Sequence, residues 1–194
     1  MGFETSKAIR RRHLDPIWHR ILRGHGIDIG CGPDPVDRLG LFPSIVECER
    51  FDREHGDAQQ VDRPAESYDF VHSSHCLEDL ERPAQALASW WRLVKPGGHL
   101  IVMVPDEDLY EQGVWPARFN LHHRWTFTLW KPSGASWSPR SINLWSLAVE
   151  TLRDFRPILM RICDDGYDYS KHGVDQTAPH PGAEAAIEMV LQKR

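Results

Sequence analysis

The chain has 194 residues, 41% of them hydrophobic, enough for the full core of one α/β domain and too few for two comfortable ones. Its formal charge of −5 gives no general attraction for polyanions, so nucleic acid is not expected as a partner. Four cysteines without C-x-x-C spacing, no apolar signal-peptide core and no run of about 18 apolar residues point to a soluble, cytoplasmic protein with no membrane association.

Residues 1–23 alternate basic and apolar positions and are expected to form a helical prelude divided at Pro16, with Ile9, Leu14, Ile17 and Leu22 facing a core. Arg10-Arg11-Arg12-His13 reads as a solvated helix face. Ile27 and Ile29 mark a first strand, Ile45-Val46 begins a second, and Tyr68 to His72 form a third. From Pro83 to Val94, Ala84, Leu87, Ala88, Trp91 and Val94 recur at helical spacing, with Pro83 in the first turn. Lys95-Pro96-Gly97-Gly98 then breaks the helix and leads into an apolar strand, His99 to Val104.

Residues 105–140 are rich in aromatics, histidine, proline and glycine and too long for an ordinary connection, so they read as a functional, substrate-side insertion. A helix from about Asn143 to Leu152 follows, and then two last strands, near Pro157 to Ile162 and Ala185 to Leu191. No repeat or low-complexity tract suggests a linker, so residues 1–194 are expected to be a single domain. The alternation of strand and helix predicts a doubly wound, mainly parallel sheet with helices on both faces and ligands at the carboxyl ends of its strands.

The stretch Gly26-Ile27-Asp28-Ile29-Gly30-Cys31-Gly32-Pro33-Asp34 is an apolar strand that stops in a glycine turn and restarts as a helix. Gly30 and Gly32 carry no Cβ, so the backbone can turn tightly and lie against a nucleotide-like ligand. A dinucleotide fingerprint, G-x-G-x-x-G, needs a third glycine where this chain has Pro35. That leans away from an NAD-linked oxidoreductase, and Asp28 before the glycines suits a cationic ligand end better than a diphosphate.

Asp-Ile-Gly-Cys-Gly-Pro resembles motif I of class I S-adenosylmethionine (SAM) methyltransferases. Gly56-Asp57-Ala58, Tyr68-Asp69-Phe70-Val71 and Leu93-Val94-Lys95-Pro96-Gly97-Gly98 follow in that family's order. Ser73-Ser74-His75-Cys76-Leu77-Glu78, Tyr110-Glu111, Trp115-Pro116, Phe119-Asn120 and Trp125 to Thr128 look like a small, type 11-like subset. The resemblance implies a Rossmann-like seven-stranded sheet whose last strand runs antiparallel between its neighbours, SAM as cofactor and S-adenosylhomocysteine as product. Many members carry Leu-Glu-His after the family's fourth strand, where this chain has Leu77-Glu78-Asp79, so no role for that histidine carries over.

On that reading Asp28 suits the methionine ammonium, and Gly30, Cys31 and Gly32 pass close to the methionyl part. An acid some 20 residues on accepts the ribose hydroxyls; Asp52 fits best, with Glu47 and Glu49 as alternatives. Asp57 and Ala58 flank the adenine, and Ser73 and Ser74 belong to the site by position. SAM is already an activated electrophile, so no metal is required, and His72 with His75 is rejected as a metal pair. His75 is the first candidate general base, with His122 and His123 behind it. Tyr110, Trp115, Trp125 and Trp130 are candidates for an aromatic wall, whereas Trp90 and Trp91 read as core. The expected activity is methyl transfer to a small-molecule or glycan-like acceptor; the alternative is a SAM-binding, catalytically degenerate scaffold or regulatory domain. The oligomeric state is left open.

Overall fold

A computed structural model describes residues 3–132, 134–179 and 182–194. The chain begins with helices α1 (Glu4–His13) and α2 (Trp18–Ile21), separated by the turn at Pro16. Strands β1 (Gly24–Ile29), β2 (Ile45–Phe51) and β3 (Tyr68–Ser74) follow, then helix α3 (Pro83–Leu93) and strand β4 (Val94–Pro105). A one-turn π-helix over Glu107–Glu111 follows, and the short strands β5 (Thr126–Thr128) and β6 (Ser141–Asn143) pair in parallel. Helix α4 (Leu144–Thr151) and strands β7 (Phe155–Cys163) and β8 (Ala186–Lys193) complete the chain, with the Asn143 side chain accepting the Ser146 N–H at the start of α4.

The main sheet has the order β2-β1-β3-β4-β8-β7. Its first four strands are parallel, and β8 runs antiparallel between β4 and β7, the arrangement expected of the last strand. The sheet has six strands rather than the expected seven. The missing edge strand corresponds to the link between β2 and β3, which holds only a 3-10 turn at Arg53–His55 before irregular chain. Side chains of α3 take that chain's backbone groups: Ser89 Oγ accepts the Val61 N–H at 3.0 Å, while Arg92 and Trp90 donate to the Val61 and Ala58 carbonyls at 2.9 and 2.8 Å. Those backbone groups are therefore satisfied without a ladder partner.

Alternation along the strands divides the core in two. Phe70, Ile101 and Val190 point to one face, where Ile9, Trp18, Ile21 and Leu22 of the helical prelude cover them. Val71, Leu100 and Leu191 point to the other, against Leu87, Trp90 and Leu93 of α3 and Leu144 and Ala148 of α4. The buried face of α3 is Ala86, Leu87, Trp90, Trp91 and Leu93, so Trp90 and Trp91 are core as expected, while Ala84 and Ala88 are exposed. The Lys95–Gly98 turn does not separate helix from strand: Val94 already pairs with Tyr68, and the register resumes at His99 with Phe70.

Two expectations about the prelude fail. Leu14 is exposed, because it follows the last residue of α1 and leaves the helix's apolar face. The arginine run is not a solvated face: Arg12 is fully buried, its guanidinium 4.5 Å from the Trp18 ring centre, and its Nε donates to Glu188 Oε1 at 2.7 Å. Arg11 and Arg161 also bind the Glu188 carboxylate, so one buried acid on β8 collects three guanidinium groups. Burial of a charge is tolerated only when it is paired in this way.

Candidate functional site

Each of the four parallel strands delivers the chain to the wall of one cavity of about 810 Å³, at the sheet's carboxyl edge. Gly30 follows β1, Asp52 follows β2, His75 follows β3, and Pro105 ends β4; all four line the cavity.

The first wall is the glycine turn. Gly30 has φ +73° and Gly32 φ +49°, the left-handed region that favours glycine, and a Cβ at Gly30 would lie 2.5 Å from Cys76 Sγ. Gly30 N–H donates to the Phe51 carbonyl at 2.7 Å, and Gly32 N–H to Asp52 Oδ2 at 2.8 Å, which fastens the turn to the end of β2. Asp52 Oδ1 accepts the Arg53 N–H at 2.8 Å. Each carboxylate oxygen thus has one backbone donor, and a carboxylate has about four acceptor sites, so capacity remains for a diol. Glu49 is instead engaged by Arg63 and Tyr68, and Glu47 is exposed and faces His25. Asp57 and Ala58 line the same wall, with Asp57 Oδ1 accepting the Gln59 N–H at 2.8 Å. A bare glycine backbone beside two acids in one pocket fits an adenosyl ligand with hydroxyl and amine donors.

The opposite end carries the titratable groups. His75 sits at φ +52°, held by its N–H to the Met103 carbonyl at 2.9 Å. Its Nδ1 faces Glu78 Oε1 at 3.6 Å, and its Nε2 has no hydrogen-bond partner among the described residues. His123 Nε2 approaches the same Glu78 oxygen at 3.9 Å, while its Nδ1 bonds Glu111 Oε1 at 2.8 Å. Burial pulls the His75 imidazole down, but Glu78 outweighs it and the net shift is upward; His123 is raised likewise, by Glu111 and Glu78 against burial. Burial pushes the Glu111 and Asp79 carboxyls up. Tyr110 lines the cavity with its ring 5.3 Å from His123 and 5.8 Å from Phe119.

The structure brings together Gly30, Gly32, Asp52, Asp57, Ala58, His75, Tyr110, His122 and His123. The other expected residues lie off the cavity wall. Asp28 is buried below the turn, with Oδ2 accepting the Val36 N–H at 2.7 Å and Oδ1 paired with His72 Nδ1 at 2.7 Å. The other His72 nitrogen, Nε2, lies 3.0 Å from Arg12 Nη1; arginine only donates, so the His72 proton sits on Nδ1 and points at Asp28. Cys31 is buried, its thiol pushed up to about 12 by burial and then by Asp28 and Asp52. Ser73 Oγ donates to the Ile29 carbonyl, and Ser74 is buried at the end of β3.

Trp125 turns inward against the core, its Nε1 donating to the Leu80 carbonyl, and Trp115 does not line the cavity; Trp130 is exposed. The aromatic wall is therefore Tyr110 with Phe119. Glu78 and Glu111 went unassigned from sequence, although Glu78 follows His75 by three residues in a short 3-10 turn that aims both at one space. Among the described residues no group of three or more His, Cys, Asp or Glu side chains is arranged to hold a metal ion.

A family model described as a methyltransferase domain matches residues 7–151. No curated protein matches the chain by sequence. Several solved structures share its fold. A SAM-dependent methyltransferase from Archaeoglobus fulgidus is 16% identical with a TM-score of 0.62, over 99% of this chain and 95% of that one. A SAM-dependent methyltransferase from Mesorhizobium loti is 14% identical with a TM-score of 0.57, over 96% of both chains. The YcgJ protein from Bacillus subtilis is 10% identical with a TM-score of 0.57, over 95% and 99%.

Proposed function

Because the chain belongs to the class I SAM-dependent methyltransferase domain family, we propose that it moves the SAM methyl group to a small-molecule or glycan-like acceptor held between the glycine turn and the 105–140 insertion. The observation that carries this reading is the convergence of Gly30, Gly32, Asp52 and His75 on one cavity.

SAM supplies a methyl group already activated on a sulfonium. The protein's task is then to align the acceptor and exclude water. Asp52 accepts the ribose hydroxyls, Asp57 accepts the adenine amine beside the small Ala58, and the bare backbone of Gly30 and Gly32 lets the methionyl part pass. Asp28, held by His72 and Val36, supports the turn from beneath. His75 lines the cavity with its Nε2 buried and unpartnered among the described residues, and that nitrogen receives the proton of a hydroxyl acceptor while Glu78 faces the opposite one. Such a base contributes on the order of 10²–10⁴-fold. His122 and His123, both on the wall, stand behind it.

The test is to incubate the protein with methyl-labelled SAM and separate small-molecule, oligosaccharide and protein fractions of a cell extract. Label is expected in a small-molecule or oligosaccharide fraction and to fall sharply with His75→Ala. Bound cofactor with no labelled product in any fraction would instead support a non-catalytic scaffold.

A further inference from the structure

We infer that the acceptor carries a protonated amine, received at the Glu78 and Asp79 end of the cavity. This rests on the methyltransferase reading, in which Asp52 and Asp57 serve the cofactor. Of the remaining acids on the wall, Glu4 is paired with Lys7 at 2.7 Å, and Asp175 is tied into its own turn by the Thr177 N–H and hydroxyl at 2.9 and 2.7 Å. Glu78 and Asp79 each keep one buried oxygen without a hydrogen-bond partner among the described residues.

Glu78 is almost fully buried, its side chain 2% exposed, yet its Oε2 accepts no hydrogen bond among the described residues. The Asp79 Oδ1 atom is likewise buried and unpartnered. A buried carboxylate oxygen left without a donor is costly, and an ammonium offers three donors with a compensating charge where a hydroxyl offers one. Neither imidazole fills that place, since His75 and His123 face Glu78 at 3.6 and 3.9 Å through its other oxygen. Three carboxyl groups, Glu78, Asp79 and Glu111, surround those two imidazoles, and His122 and Arg53 also act on Asp79. Tyr110 and Phe119 add aromatic faces, which attract cations. The Asp79 that replaces the family's usual histidine thus becomes part of the recognition, and a free amine or an amino sugar is the chemical class expected.

The experiment uses the full chain saturated with S-adenosylhomocysteine and a matched pair of probes, cyclohexylamine and cyclohexanol, titrated calorimetrically. The amine is expected to bind about tenfold more tightly or better, and the preference is expected to fall below about threefold in Glu78→Gln and Asp79→Asn. Equal binding of the two probes, no binding of either, or a preference unchanged in both variants overturns the inference. S-adenosylhomocysteine affinity in the same variants reports whether they fold; if they do not, the wild-type probe pair decides alone. Failure of the wild type to bind S-adenosylhomocysteine would instead count against the methyltransferase reading itself.

Discussion

Gly32 donates its backbone N–H to Asp52 Oδ2 at 2.8 Å, so the glycine turn and the end of β2 are locked at one wall of the cavity. The bond leaves Asp52 with acceptor capacity and fixes where that capacity points. Asp52→Ala is expected to weaken S-adenosylhomocysteine binding by about 1–3 kcal/mol, the cost of unmade charge-assisted bonds. Titration calorimetry measures it, and an unchanged affinity would move the ribose contact away from Asp52.

Gly30 combines a left-handed φ with a 2.5 Å approach of any Cβ to Cys76 Sγ. Gly30→Ala should lower stability by about 1–3 kcal/mol and impair cofactor binding. Adding Cys76→Ala should recover only a small part of that loss, because the Cys76 Cβ, 2.6 Å from the added Cβ, stays in place and the φ cost of roughly 1 kcal/mol persists. Denaturant unfolding of the single and double variants measures the recovery, and full recovery in the double would contradict both the remaining contact and the backbone strain.

Glu188, fully buried, binds Arg11, Arg12 and Arg161, and Arg12 continues through His72 to Asp28 beneath the glycine turn. Removing one partner of a buried pair leaves uncompensated charge, typically about 3–5 kcal/mol. Glu188→Ala is expected to lose stability in that range by urea unfolding. A loss under about 1 kcal/mol would mean that the network behaves like a solvated surface cluster.

His75 and His123 are both held above their ordinary values, each against burial, by Glu78 and, for His123, by Glu111; Asp79 and Glu4 add to the acidic surroundings. A histidine raised on folding adds stability that is complete below its unfolded value of about 6.5 and is lost as pH rises through the folded value. The stability of wild type relative to Glu78→Gln should therefore be complete below about pH 6.5 and shrink as the pH is raised from about 6 to about 8. Thermal unfolding of both proteins across that range checks it, and a difference that grows with pH would contradict the assigned direction.

The strands, the α3 helix and the carboxyl-edge site were legible because each rests on local chemistry: apolar runs, Pro83 in a first turn, and two glycines where φ is positive. The place of Asp52 on the cavity wall was legible by spacing alone. The missing edge strand was not, since it depends on Ser89, Trp90 and Arg92 capturing the backbone of the β2–β3 link from a distant helix. The arginine run was misread for a related reason: its partner Glu188 lies far along the chain on β8. Asp28 points below the turn rather than into the cavity because His72, in register beside it on β3, takes its carboxylate. The insertion's sequence announced aromatics without saying which turn inward, and Trp125 docks on the core while Tyr110 faces the cavity.

The most direct test of the account is to titrate S-adenosylhomocysteine into the isotopically labelled protein and follow the backbone amides. Saturable binding is expected, with the largest shifts at Gly30, Gly32, Asp57 and Ala58 and little change at Gly97 and His99, on the opposite edge of the sheet. No binding at millimolar ligand, or shifts centred on that opposite edge, would contradict it.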